Sequence, residues 1–123
     1  RFRDEVKELA GVVFVSPEYN RSVPAVLKNA LDVGSRPYGQ SAWDGKPGLV
    51  VTASPGGIGG FGANHHLRQS LVFLNVPTLQ QPEAYIGNIA NLVDEEGHIV
   101  EGTLSFFQTI LDAYLDFLNK LTK

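Results

Sequence analysis

Two stretches of this chain put polar or glycine residues where chemistry could be done. The first, Ser16-Pro17-Glu18-Tyr19-Asn20-Arg21-Ser22-Val23-Pro24, joins the apolar run Val12–Val15 to a helical pattern. Where a strand runs into a helix in a parallel α/β sheet, the turn lies at the carboxyl end of the strand with helix N–H groups free beside it, the usual place for a ligand. This turn offers a carboxylate, a phenol, an amide and a guanidinium in succession. It reads either as a plain strand-to-helix turn capped by Ser22 with Tyr19 exposed, or as one wall of a ligand site. The second stretch, Gly56-Gly57-Ile58-Gly59-Gly60-Phe61-Gly62, follows the apolar Leu49-Val50-Val51. Bare backbone can approach a flat ring or a phosphate, and a following helix N-terminus adds donors and positive potential. Gly57, Gly59 and Gly62 match the spacing of the dinucleotide fingerprint, with Glu83 about 20 residues later. Glycine-dense sequence produces that match easily, and the fingerprint normally occupies the first βα turn. A flexible turn is the competing reading.

Other chemistries lack their residues. There is no cysteine, hence no thiol nucleophile, disulfide or cysteine metal ligand, which fits a reducing compartment and makes cytoplasm the expected location. No G-x-S-x-G elbow occurs, and Ser54 sits in Ser-Pro-Gly. His65 and His66 are adjacent, so on a helix they point about 100° apart and cannot grip one metal as an i, i+4 pair would. A surface or subunit-contact role is expected for them, and no metal. A net charge of -3 provides no basic stripe, so no nucleic-acid partner is expected. The longest apolar runs, such as Val12–Val15 and Leu71–Leu74, are far shorter than the roughly 20 residues that cross a bilayer, and no membrane or secretion signal is expected.

The elements that must position these stretches follow from apolar periodicity. Phe2, Val6 and Leu9 predict a short helix ending near Gly11. Val12–Val15, β-branched and aromatic without interruption, predicts a central strand covered on both faces. Ser22 is predicted to cap the next helix, with Pro24 in its first turn and an apolar stripe from Val26 to Leu31 ending at Gly34. Ser35 to Lys46 reads as loop, Leu49-Val50-Val51 as a second strand, and Asn64 to Leu74 as a helix. Val76 to Gln81 reads as a third strand, Ile86 to Leu92 is ambiguous, and Asp94 to Gly97 is a solvated turn. Leu104, Phe107, Leu111, Tyr114, Leu115 and Leu118 predict a long closing helix. Alternating helices and strands argue for helices on both faces of a parallel sheet. A central first strand needs a neighbour on each side. With Arg1 leading and no methionine anywhere, one or two further strands are expected ahead of residue 1.

At these residues the sequence resembles the NAD(P)H-dependent FMN reductase family, which includes bacterial quinone and chromate reductases. The resemblance rests on SPEYNRSVPAVLKNALD (16–32), GKP (45–47), the glycine loop with HHLRQSLVFL (65–74), and QPEAYIG (81–87). It implies a flavodoxin-like three-layer αβα sandwich around a five-stranded parallel sheet in the order 2-1-3-4-5. Residues 1–123 would be the C-terminal two thirds of that single domain, carrying its third to fifth strands. In the family a serine- and arginine-rich loop after the first strand holds the flavin phosphate, and no such loop occurs in this sequence. The ring-binding half carries over to Pro17, Glu18, Tyr19 and Asn20 beside the isoalloxazine, with Ser54, Gly56 and Gly57 opposite. The resemblance further implies FMN as cofactor, NAD(P)H as cosubstrate, and a quinone, chromate, azo compound or free flavin as acceptor. It implies no strictly catalytic side chain, and a homodimer or homotetramer with Arg68 and Glu83 near subunit contacts. The alternative is a flavodoxin-type electron carrier that binds FMN without oxidising NAD(P)H.

Overall fold

Val12-Val13-Phe14-Val15 suits a pleated surface because branched and aromatic side chains pack well there. In the computed structural model, which describes residues 1–122, this run begins strand β1 (Val12–Pro17). The described elements are α1 (Phe2–Lys7), β1, α2 (Ala25–Gly34), β2 (Gly48–Ala53), α3 (Phe61–Phe73), β3 (Tyr85–Ile86), a single 3₁₀ turn (Ile89–Leu92) and α4 (Glu101–Thr122). The sheet order is β1-β2-β3, all parallel, with Val12 beside Gly48 through Pro17 beside Ala53, and Thr52 beside Tyr85. All three strands therefore end on one edge. No helix among the described residues is long and apolar enough to cross a membrane.

One core lies between the sheet and the first three helices. Phe14, Val50, Leu31, Leu67 and Leu71 meet there around Trp43, whose indole N–H donates to Leu31 O at 3.0 Å. The opposite side is covered by α4, where Ile110 and Tyr114 pack with Leu49, Leu79 and Ala84. The Tyr114 hydroxyl crosses to the start of the sheet and donates to Pro47 O at 2.9 Å, the carbonyl that also accepts the Val12 N–H.

Within the described residues one face of β1 is open: Phe14 is buried, while Val15 is 70% exposed and lines, with Val13, Val51, Ile86 and Phe107, an apolar groove of about 410 Å³. Among the described residues β1 is an edge strand. Three expectations need correction. The stretch 76–81 is not a strand but makes one bridge, Thr78 to Gly48, because Pro77 lacks an N–H to extend the ladder. The third strand is Tyr85–Ile86. Ser22 does not cap α2, which starts after Pro24 without a side-chain cap; its hydroxyl pairs instead with His66. Finally, α3 begins at Phe61, three residues earlier than its apolar stripe suggests, because Gly60 takes the left-handed conformation that starts the helix.

Burial pushes the Tyr114 phenol above its ordinary value of 10.0. An unfolded tyrosine ionises near pH ~10, the buried one only above that. Its contribution to stability is thus complete below pH ~10 and lost as pH rises through the folded value. Tyr114→Phe is expected to cost about 1 kcal/mol at neutral pH through the lost hydrogen bond. In urea melts at pH 8 and 11 the gap between wild type and variant should shrink at the higher pH; a constant gap would contradict this.

Candidate functional site

The β1–α2 connection turns back on itself. Tyr19 N donates to Ser22 O and Ser22 N to Tyr19 O, each at 3.0 Å, while Asn20 and Arg21 have φ of 52° and 65°. Two central residues in the left-handed region make a tight type I′ turn, for which asparagine is well suited and arginine less so. The turn projects Tyr19, 60% exposed, and Asn20 outward from the strand end. Ser16, buried beneath it, donates to Pro17 O at 2.8 Å. The Glu18 carboxylate is engaged within the chain, accepting the Ala63 N–H at 2.9 Å.

The second wall leaves the end of β2. Ser54 N donates to Ile86 O at 2.9 Å, the Ser54 hydroxyl accepts the Gly56 N–H at 3.2 Å, and Gly56 O accepts the Asn88 N–H at 3.0 Å. Further along, a buried polar chain fixes the loop. The Thr52 hydroxyl donates to Gly59 O at 2.8 Å and accepts from the Asn64 amide at 3.3 Å, while Asn64 Oδ1 accepts the Arg68 Nε–H at 2.7 Å. Thr52 and Asn64 are fully buried, so each depends on these partners.

The glycines of this loop divide into two kinds. A Cβ on Gly59 would lie 2.6 Å from the Tyr85 carbonyl carbon, and one on Gly60 2.7 Å from Thr52 Cβ. Intrachain packing forbids side chains at both. At Gly56 and Gly57 the nearest atoms would be 3.7 Å and 3.9 Å away, ordinary contact distance. Nothing in the chain's packing excludes a side chain there, and both residues are exposed. The fingerprint spacing is therefore incidental: Gly59 packs against Tyr85 and Gly62 against Arg21, leaving only Gly57 facing out.

Because Pro17 pairs with Ala53, the two walls leave adjacent strands at the same edge. Pro17, Tyr19, Asn20, Gly56 and Gly57 are open there and Ser54 is half-buried, whereas Glu18 is committed to α3. The adjacent histidines diverge, His65 Nε2 to the Tyr85 hydroxyl and His66 Nδ1 to Ser22. Burial, then the negative charge of Glu83, holds the Tyr85 phenol above its usual value. Sequence reasoning missed Thr52 and Asn64; the available signal was a polar residue closing an apolar strand and another at the head of an apolar helix stripe.

Residues 1–91 match the model of the NADPH-dependent FMN reductase family. The chain belongs to that family. It is 58% identical over 118 residues to a quinone reductase of Pseudomonas putida, an alignment covering 96% of this chain and 63% of the relative. It is 46% identical to a 2-hydroxy-1,4-benzoquinone reductase of a Burkholderia species, covering 92% and 62%. Among solved structures, FerB of Paracoccus denitrificans, a flavoenzyme NAD(P)H:(acceptor) oxidoreductase, superposes with a TM-score of 0.88 at 39% identity, covering 96% of this chain and 65% of that one. The fold is thus flavodoxin-like, and the chain spans a little under two thirds of the length of these relatives. For an FMN reductase the residues must accommodate a flat ring with a polar edge. The open backbone at Gly56-Gly57 and the outward Tyr19-Asn20 turn fit the ring half of that group.

Removing Asn64 should unfasten the second wall. Asn64→Ala leaves Arg68 and Thr52 short of a buried partner, with an expected loss of about 2 kcal/mol, read by chemical denaturation. Amide exchange at residue 64, whose N–H donates to Gly60 O, should accelerate well beyond the global change; uniform acceleration would show that the loop is held by something else.

Proposed function

We propose that this chain forms the ring-binding side of an FMN site in an NAD(P)H-dependent reductase whose electron acceptor is a quinone. The observation that carries this reading is the pair of glycines, Gly56 and Gly57, that no intrachain contact requires, set at the strand end beside the outward turn of Tyr19 and Asn20. Family membership over residues 1–91 supports FMN as the group seated there. The names of the Pseudomonas and Burkholderia relatives favour quinones over chromate, azo compounds or free flavin as acceptor.

When bound, FMN would supply the redox chemistry, a two-electron exchange between NAD(P)H and a quinone that, with proton uptake, yields the hydroquinone. The protein's residues bind and orient. The Asn20 side chain and the Gly57 amide offer polar contacts to the ring edge, and an N–H donor there favours negative charge, whereas the Tyr19 and Gly56 N–H groups are taken by Ser22 O and the Ser54 hydroxyl. Tyr19 offers a flat exposed wall against which a quinone can stack. No side-chain acid or base is assigned, and Glu18, turned into α3, is a support. The same reading includes assembly as a homodimer or homotetramer, favoured by Val72 and Phe73 on α3, 79% and 75% exposed.

Stopped-flow spectroscopy of the full-length protein tests this. Bound flavin should bleach on mixing with NADPH or NADH and recover on adding a benzoquinone. Asn20→Ala should weaken FMN retention or slow bleaching about tenfold, equivalent to roughly 1.4 kcal/mol. A protein that takes up no flavin would overturn the reading, and flavin that binds but is bleached by neither nucleotide would identify an electron carrier instead.

A further inference from the structure

The Tyr19–Ser22 turn is gripped from both ends by one face of α3. At its start the Glu18 carboxylate accepts the Ala63 N–H at 2.9 Å, and at its end the Ser22 hydroxyl meets His66 Nδ1 at 2.7 Å. Ala63 and His66 are three residues apart, hence neighbours on the same side of the helix. The first-turn N–H groups of a helix need an outside acceptor. The residue preceding α3 is Gly60, which has no side chain with which to supply one. Glu18 supplies it from 45 residues away, as a carboxylate at the positive end of the helix.

Between the two anchors the turn lies flush on the helix. A Cβ on Gly62 would fall 2.3 Å from Arg21 O and 2.8 Å from Glu18 Oε2. Arg21 itself is held at φ 65°, a conformation that costs a non-glycine residue about 1 kcal/mol or more and persists only where surrounding contacts fix it.

We propose that the first turns of α3 are the platform that sets the height and register of the Tyr19-Asn20 turn for the flavin ring, with Glu18 and His66 as positioning residues and Gly62 as the residue that lets the turn seat. This rests on the FMN-site reading above. Displacement of about 1 Å at such a site is enough to change rates a hundredfold, and the two anchors bracket the exposed Tyr19 and Asn20.

The test compares Gly62→Ala, Glu18→Ala, Glu18→Gln, His66→Ala and His66→Asn in the full-length protein, using FMN titration followed by flavin fluorescence and amide exchange at Tyr19 and Ser22. Gly62→Ala and Glu18→Ala should raise the Kd for FMN at least tenfold and speed exchange at both amides more than tenfold. His66→Ala should act in the same direction more weakly. Glu18→Gln and His66→Asn, which keep a polar atom in place, should recover part of both effects. A Kd within twofold of wild type together with unchanged exchange in the alanine variants would overturn the proposal. Should Gly62→Ala fail to fold, the Glu18 and His66 variants decide. Should wild type bind no FMN, the ring-site reading falls, while exchange at Tyr19 and Ser22 still decides whether α3 holds the turn.

Discussion

The parallel pairing of β1 with β2 is the constraint from which the rest follows. With Phe14 beside Val50 and Ser16 beside Thr52, these buried residues share one face of the sheet, where Phe14 and Val50 join the core under the first three helices. A slip by one residue would turn Phe14 and Ser16 away from that core and bring Val13 and Val15 into it. It would also separate Pro17 from Ala53, and with them the two loops that make up the candidate site. Tyr114 and Pro47 secure this register at the opposite end, where one carbonyl accepts both the tyrosine hydroxyl and the first amide of β1.

Polar burial then stiffens what the register has aligned. Thr52, the last but one residue of β2, carries a hydroxyl rather than an apolar side chain, and that hydroxyl connects the glycine loop to Asn64 and through it to Arg68. Each group in the chain donates or accepts for its neighbour, so loss of any one member leaves the others in a low-dielectric setting without a partner. The loop can consequently be rich in glycine without being slack. Gly59 and Gly60 are fixed by what surrounds them, and the freedom of bare backbone is confined to Gly56 and Gly57.

Local pattern was enough to read much of this. The β-branched runs at 12–15 and 49–51 and the stripes of α2 and α4 announce their elements, and the strand ends they define put residues 17–20 and 54–57 at one edge of the sheet. What stayed hidden depends on partners distant in sequence. Tyr85–Ile86 is a strand only because Thr52 and Ala53 lie beside it, and two residues carry no periodicity. The Ser22 hydroxyl has a local use as a helix cap, yet it is taken by a histidine 44 residues on. Glu18 sits in the middle of the polar turn, yet its carboxylate is taken by the N-terminus of a helix that lacks a cap of its own. Residue type foretold the chemistry available at each position, whereas direction was decided by tertiary contact.

The exposed face of β1 bears on how this polypeptide behaves in a tube. Its outer row of backbone groups is unpaired among the described residues, and Val13 and Val15 stand uncovered beside it, opening onto the apolar groove that runs to α4. An open strand edge flanked by bare valines is a template for any extended chain that meets it. Prepared as residues 1–123 alone, the polypeptide should reach a ceiling in concentration set by edge-to-edge association well before heat or denaturant tests its core, and a lysine in place of Val15 is the economical way to raise that ceiling.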